Sequence, residues 1–99
     1  MVVIAKSTLT RFAEIHPTAA EPLERWYTLT LRADWATLSD IKQVFNSVDY
    51  VGNDRYVFNV KGNAFRIIAL IHFSVRTVYI KFVGTHQEYD RIDASSVDI

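Results

Sequence analysis

The chain has 99 residues and a mass of 11.4 kDa, enough for one domain with one hydrophobic core and too little for two. Apolar residues make up 49% of it and aromatic residues 13%, which is typical of a packed globular domain. Because there is no cysteine, disulfides and thiolate-ligated zinc or iron–sulfur sites are excluded. No apolar run approaches a signal peptide or the ~20 residues of a membrane span, so we expect a cytoplasmic protein without membrane contact.

The charges are balanced in number but not in position. The net charge is zero, from 11 basic and 11 acidic residues. Between Glu14 and Asp54 seven acidic residues face three basic ones, whereas Arg55 to Gln87 holds five basic residues, two histidines and no acidic residue. If these halves form different surfaces, the basic one attracts polyanions such as nucleic acid. The alternative is that a sheet and its helices simply differ in surface charge.

The first half of the chain predicts a short strand followed by three helices. The strand is the apolar run Val2 to Ala5. Apolar residues then recur at helical spacing over 9–15, 23–31 and 38–45. Pro17 ends the first helix. The start of the second is open: Thr18 and Glu21 have capping-box spacing, but Pro22 would then lie inside the helix and remove a backbone donor, which favours a start nearer Pro22. Thr37 and Asp40 have the spacing of a capping box for the third helix.

The second half has the two-residue period of β-strands. Residues 55–60 alternate, and Lys61-Gly62-Asn63 provides a turn into the apolar run 64–73. A further strand is predicted over 78–83, ending at Gly84. We expect the polar tail beyond Asp90 to be frayed. The order of elements predicts one α+β domain over 1–99, with the N-terminal strand and helices packed on one face of a four- to five-stranded antiparallel sheet.

The other face of that sheet should be open, and Arg66 should lie in the middle of it. Alternation puts Arg66 on one face with Ile68, Leu70 and His72. A cation in the middle of a sheet costs free energy unless it is paired. One interpretation is that it binds phosphate, for which the planar guanidinium is suited. The other is an ion pair with one of four acidic residues: Asp40, Asp49, Glu88 and Asp90.

Other polar residues could lie around Arg66. Alternation turns Lys81 toward the same face, with Tyr79 and Val83, although an edge lysine that prevents aggregation is as good an explanation. Lys61 is either part of the same basic surface or an exposed turn residue. His86 and Tyr89 are three residues apart and are candidates for proton transfer, or they hydrogen-bond locally.

No metal or cofactor is predicted. His16, His72 and His86 lack metal-ligand spacing, and the chain has neither a zinc motif nor a phosphate-binding glycine loop. RNA cleavage by the ribose 2′-hydroxyl needs neither, since cations for the phosphate, a base for the 2′ proton and an acid for the 5′ oxygen are sufficient. Arg, Lys, His and Tyr can supply these roles.

Three stretches resemble the HigB toxins, the RelE-like toxic members of type II toxin–antitoxin systems. They are Trp35 with Asp40–Phe45, Arg55–Ala69, and Val78–Asp90, so that the resemblance spans residues 35 to 90. Its specific feature is FNVxGNxxR combined with THxEYD. The resemblance implies a RelE-like fold and a metal-independent, ribosome-dependent mRNA endonuclease, or mRNA interferase, that cuts messages in the decoding site and inhibits translation.

The resemblance also implies partners and residue roles. The partner is a HigA-type antitoxin with a helix-turn-helix domain. The toxin reaches operator DNA only through this antitoxin. Arg66 would stabilise the scissile phosphate, with His86 and Tyr89 in proton transfer or base stacking. The RNA-binding candidates are Lys61, Lys81, Arg55 and Asn63. Two other functions remain open: a ParE-like toxin that inhibits gyrase, and a non-catalytic RNA-binding relative.

Overall fold

The computed structural model describes residues 1–97, which form a five-stranded sheet of order β1-β5-β4-β3-β2 with four α-helices. The strands are β1 Val2–Ile4, β2 Val48–Gly52, β3 Arg55–Val60, β4 Phe65–His72 and β5 Thr77–Thr85. The helices are α1 Lys6–Ile15, α2 Ala20–Arg32, α3 Leu38–Val44 and α4 His86–Tyr89, and short 3₁₀ turns cover Pro17–Ala19 and Phe73–Val75. The α+β class predicted from the sequence is confirmed.

The helices begin and end close to the residues that the sequence indicates, with one difference. The second helix starts at Ala20 rather than near Pro22. Pro22 is its third residue, where the backbone N–H would have no partner inside the helix, so a proline there costs little. The capping box of the third helix is confirmed, since Thr37 Oγ1 accepts from the Asp40 N–H at 3.3 Å and Asp40 Oδ2 accepts from the Thr37 N–H at 3.2 Å.

The sheet is mixed rather than wholly antiparallel. The predicted hairpin joins β3 and β4, and β4 pairs antiparallel with β5. The first strand, however, lies at the sheet edge and runs parallel to β5, with Val2 opposite Thr77. The expectation of antiparallel pairing is wrong for this strand alone. Most of the chain separates the two strands, and a long connection allows parallel pairing where a tight turn does not.

A β-bulge in β5 reverses part of the predicted alternation. Ile68 lies opposite Phe82 and Ala69 lies opposite Ile80, so Lys81 is an extra residue on its strand. Phe82 therefore shares the face of Ile68, away from the helices, while Ile80 lies on the helix face. The prediction that Val83 shares the face of Tyr79 is wrong. Val83 lies opposite Ile67 on the helix face, because a bulge shifts the two-residue period by one.

The main hydrophobic core lies between the helices and one sheet face. Trp26 of α2 packs edge-on against Phe58 of β3, with ring centroids 5.3 Å apart, and Phe45 contacts the same ring at 5.5 Å. Ile67 and Ile71 continue this face along β4 and are fully or almost fully buried. Burying one such side chain contributes about 1.5–3 kcal/mol, so this layer supplies most of the apolar stabilisation.

A second, thinner layer covers part of the opposite sheet face. It contains three buried side chains, Val57, Ile68 and Ala94, with partly buried neighbours that include Phe82 and Tyr89. The tail was expected to be frayed, but the segment up to Val97 packs here instead. Arg55 Nε donates to the carbonyl of Val97 at 3.1 Å. The expectation for residues 98 and 99 lies outside the described residues.

The longest helix of the described residues, α2, has 13 residues. No helix in 1–97 has both the length and the apolar character needed to cross a bilayer.

Candidate active site

Arg66 lies near the start of β4, on the sheet face opposite the helices. Its neighbours in register are Asn59 on β3 and Gly84 on β5. Arg66 Nε donates a hydrogen bond to Asn59 Oδ1 at 2.6 Å, and Asn59 Nδ2 donates in turn to Ser47 Oγ. These contacts orient the guanidinium through one edge. The two outer nitrogens, which form the fork that grips a phosphate, make no hydrogen bond within 1–97.

The acidic residues considered as partners for Arg66 do not pair with it. No acidic residue in the described chain lies within ion-pair distance of its guanidinium, and this includes the four candidates Asp40, Asp49, Glu88 and Asp90. The interpretation of Arg66 as half of a structural ion pair is therefore wrong for the described residues. A partly buried cation with only neutral neighbours is the place where a bound anion gains most.

Tyr89 packs against the guanidinium. The Arg66 Cζ lies 4.7 Å from the centroid of the Tyr89 ring, within the range of cation–π contacts. A capping box holds α4 at the end of β5: Thr85 Oγ1 accepts from the Glu88 N–H at 3.2 Å, and the Thr85 N–H donates to Glu88 Oε1 at 2.8 Å. This cap sets the position of a helix that is only four residues long, and with it the position of Tyr89.

His86 is the first residue of α4 and is exposed. Its Nδ1 lies 3.0 Å from Asp90 Oδ2, one helical turn later. A carboxylate at Nδ1 favours the tautomer that carries its proton there, which leaves Nε2 as a proton acceptor. The His86 N–H donates to the carbonyl of Ala64 at 3.2 Å and so ties α4 to the turn between β3 and β4.

Gly84 is buried opposite Arg66, and the Phe82 ring lies across it. A Cβ at this position would overlap the Phe82 ring and would approach Glu88 Cβ to 3.3 Å. The missing side chain therefore leaves room for the Phe82 ring next to Glu88 of α4. This is a close-approach requirement, since Gly84 has ordinary extended backbone angles and needs no left-handed conformation.

The structure separates the four RNA-binding candidates. Lys61 and Asn63 are exposed in the β3–β4 turn, at the same end of the sheet as Arg66. Lys61 has a left-handed backbone, with φ of 54°, and borders α2 next to Arg25. Lys81 occupies the bulge, with Nζ 6.0 Å from the centroid of the Tyr79 ring on the face away from the helices.

Arg55 has a structural role in the described chain. Its Nε and Nη1 donate to the carbonyls of Val97 and Asn53, at 3.1 and 3.0 Å. It lies at the opposite end of β3 from Asn59. Arg55 thus holds the C-terminal segment against the sheet, and we do not retain it among the RNA-binding candidates.

Sequence reasoning missed three contributors to this site. Asn59 could have been found, because strand alternation puts it on the face opposite Phe58, and hairpin pairing then puts it beside Arg66. Asp90 could have been found from its four-residue spacing to His86. The close approach of Phe82 to Gly84 has no sequence signal, since it depends on the bulge.

The histidines lie apart. His16 stacks on Phe12, with ring centroids 4.4 Å apart, and His72 Nε2 lies 3.9 Å from Asp54 Oδ2. Within residues 1–97 no three side chains among histidine and the acids converge as metal ligands would.

Arg66 and the side chains of α4 include the kinds of group that phosphoryl transfer on RNA needs. An oriented guanidinium stabilises negative charge on a phosphate. An imidazole with a carboxylate behind it, and a phenol, can exchange protons. The Tyr89 ring also offers an aromatic surface on which a base can stack.

Comparison with known proteins points to one family. The model of the family described as HigB_toxin, the RelE-like toxic component of a toxin–antitoxin system, matches residues 19–92. The mRNA interferase HigB of Escherichia coli O6:H1 is 30% identical over 94 residues, 93% of this chain and 91% of that protein. The mRNA interferase toxin HigB of Escherichia coli K12 and the mRNA interferase HigB of Shigella flexneri are each 33% identical over 93 residues, 91% of this chain and 88% of theirs.

Proposed function

The chain belongs to the HigB toxin family, RelE-like toxins that function with an antitoxin, and on that basis we propose that it is a ribosome-dependent endonuclease of translated mRNA. The observation that carries the proposal is the guanidinium of Arg66. It is oriented by Asn59 and Tyr89 and makes no ion pair within the described residues. Endoribonuclease activity accords with the names of the relatives.

The proposed reaction is attack of a ribose 2′-hydroxyl on the adjacent phosphorus. The 2′ oxygen gains the bond to phosphorus and gives its proton to a base, while the bond from phosphorus to the 5′ oxygen breaks and that oxygen takes a proton from an acid. The products are a 2′,3′-cyclic phosphate and a 5′-hydroxyl. Arg66 stabilises the extra negative charge on the phosphate during this step.

His86 and Tyr89 are the proposed proton-transfer pair. The Asp90 carboxylate at His86 Nδ1 leaves Nε2 available as the base. The Tyr89 hydroxyl, whose ring lies against Arg66, is then the acid at the 5′ oxygen, and its ring is also a stacking surface. Lys61, Asn63 and Lys81 are proposed to position the RNA backbone.

The ribosome supplies what this chain lacks. The net charge is zero, so the long-range attraction to free RNA is weak. An enzyme of this kind depends on the ribosome to present a single-stranded codon in the right geometry, which places it in the cytoplasm. We propose that its antitoxin is a HigA-type protein with a helix-turn-helix domain, which alone contacts operator DNA.

The test is cleavage of one defined mRNA on purified ribosomes, with the 5′ ends mapped. The parent chain should cut only when ribosomes are present and should leave 5′-hydroxyl ends. Arg66→Gln should lower the rate by roughly 10²- to 10³-fold, as loss of one transition-state donor does. Arg11→Gln, an exposed arginine of α1, is the matched control and should cut like the parent.

Three results would contradict the proposal. Growth arrest with intact mRNA would indicate a gyrase inhibitor instead. RNA binding without cleavage would indicate a non-catalytic relative. Products with 5′-phosphate ends, or unchanged cleavage when the scissile ribose is 2′-deoxy, would rule out the 2′-hydroxyl mechanism.

A further inference from the structure

A groove lies beside the hairpin turn, on the other side of the sheet end from Arg66. It runs between the start of α2 and the β3–β4 turn and has a volume of about 660 Å³. Its lining residues are Pro17, Thr18, Glu21, Pro22, Arg25 and Lys61, and we call it the α2 groove. Its volume falls within the roughly 300–1,000 Å³ range of small-ligand sites.

The α2 groove lies at the same end of the sheet as Arg66. A second cavity of about 170 Å³ shares Pro22, Arg25 and Lys61 with the groove and extends to Asn59. Asn59 is also the residue whose Oδ1 holds the Arg66 guanidinium. Lys61 lies in the turn that leads into β4 and Arg66. Asn59 and the β3–β4 turn thus connect the groove to Arg66.

Two cations line the groove, and neither is neutralised within residues 1–97. Arg25 and Lys61 are exposed and form no ion pair there. Glu21 is one helical turn before Arg25, yet the pair is not within 4.0 Å. The groove thus combines positive charge for a phosphate with one carboxylate acceptor.

The remaining lining groups suit a nucleotide better than a bare anion. Pro17 and Pro22 supply apolar surface of the size on which a base or ribose can pack. Glu21 can accept from the amino group of a base, as carboxylates do from cytosine N4.

We propose that the α2 groove is a subsite for a nucleotide that flanks the cleaved one, with Arg25 and Lys61 on its phosphate and Glu21 on its base. The subsite rests on the proposed function, because its two cations and its position at the Arg66 end of the sheet are what favour RNA as the occupant. An acidic segment of the antitoxin is the competing occupant. The groove would make cleavage depend on the identity of a neighbouring base as well as on the ribosome.

The experiment measures kcat, KM and the spectrum of cut sites on programmed ribosomes. The double variant Arg25→Gln/Lys61→Gln should raise KM about tenfold, the sum of two exposed charge contacts, with kcat nearly unchanged. Glu21→Gln should change which bases flank the cut. The control Arg32→Gln/Lys42→Gln removes the same charge from exposed positions on α2 and α3 and should leave KM and the cut sites unchanged.

The outcomes separate the two proposals. If the parent cuts but the groove variant matches its control in KM and cut sites, the subsite is wrong and the proposed function stands. If the groove variant loses affinity for the antitoxin and keeps its KM, the groove binds protein, and the subsite is wrong. If the parent chain neither cuts nor crosslinks to a 4-thiouridine message on ribosomes, both proposals fail. Crosslinks that map to residues 17–25 would support the subsite even in a chain that does not cut.

Discussion

The two faces of the sheet differ in what covers them. The helix face is covered by α1 and α2 and packs large aromatic and branched side chains such as Trp26 and Phe58. Within residues 1–97 the opposite face is covered only by α4 and the segment up to Val97, over three buried side chains. Stability is therefore concentrated on one face. The thinly covered face can hold a partly buried cation, Arg66, that a tightly packed core would not tolerate.

The contrast is sharpest between adjacent residues of β4. Arg66 and Ile67 are neighbours in the chain but lie on opposite faces. Ile67 and Ile68 are both fully buried, one in each layer. Two isoleucines are thus equally buried, one in the main core and one in the second layer.

Truncating these two isoleucines should give unequal losses of stability. Ile67→Ala should lower the free energy of unfolding toward the upper end of the 2–5 kcal/mol range, because the helix core cannot close around the cavity. Ile68→Ala should lower the free energy of unfolding by an amount toward the lower end of that range, because the C-terminal segment can move into the cavity. Chemical denaturation followed by tryptophan fluorescence measures both values.

In cleavage activity the order of the two variants should be reversed, with the larger loss in Ile68→Ala. Ile68 lies in the layer that includes Tyr89, so its truncation should lower cleavage on ribosomes more than that of Ile67 does, at a temperature where both are folded. Equal stability losses, or a larger loss for Ile68→Ala, would show that the C-terminal segment is as rigid as the helix layer.

Gly84→Ala should disturb the thin layer by overfilling it. A Cβ would overlap the Phe82 ring, so the ring or α4 must move. We expect a loss of about 1–3 kcal/mol in stability and lower activity, because Glu88 of the α4 cap is the next nearest contact. Thermal unfolding and the ribosome assay provide the two measurements.

A second substitution tests that explanation. Phe82→Leu in the Gly84→Ala background removes the ring edge that the new methyl group meets, so it should restore part of the stability. If the double variant is simply the sum of two losses, the close approach of Phe82 is not the cause.

Much of the fold could be predicted because the sequence period changes once, from helical to extended. The capping box of Thr37 and the turn at Lys61-Gly62 are local signals, and both were confirmed. Three features were missed. The second strand, the bulge at Lys81 and the packing of Ala94 depend on contacts between distant segments, which a local pattern does not contain.

The candidate site could be predicted where the local spacing of residues in a strand or a helical turn determines which side chains share a face. Arg66 is a candidate because a cation interrupts an apolar strand, and Tyr89 is one because its spacing to His86 indicates a helical turn. The contact that Arg55 makes could not be predicted, because its partner is the carbonyl of Val97, 42 residues away. A basic residue in a strand looks the same in sequence whether it binds phosphate or backbone.

The smallest expected effect is a pH dependence confined to the C-terminal segment. Hydrogen bonds from the side chain and backbone of Ser95 lower the pKa of Asp93 below its ordinary value of 3.8. The stabilisation of the folded segment by ionised Asp93 is therefore fully present above about pH 3.8. It is lost as the pH falls through the lower, folded-state pKa. Amide hydrogen exchange at residues 94–97 should speed up in that range, and in Asp93→Asn this acid dependence should disappear.

The helix face provides the contrast at the other end of the pH scale. Burial, and then the nearby Tyr50 and Asp54, raise the pKa of Tyr56 above 10.0. Its stabilisation is fully present below pH 10.0 and is lost as the pH rises toward the folded-state pKa, and Tyr56→Phe should remove that loss. Because Tyr56 belongs to the main core, alkali should lower the stability of the whole domain, whereas acid acting on Asp93 should release only the segment. If acid instead speeds amide hydrogen exchange throughout the domain, and Asp93→Asn abolishes this effect, the two layers unfold as one unit.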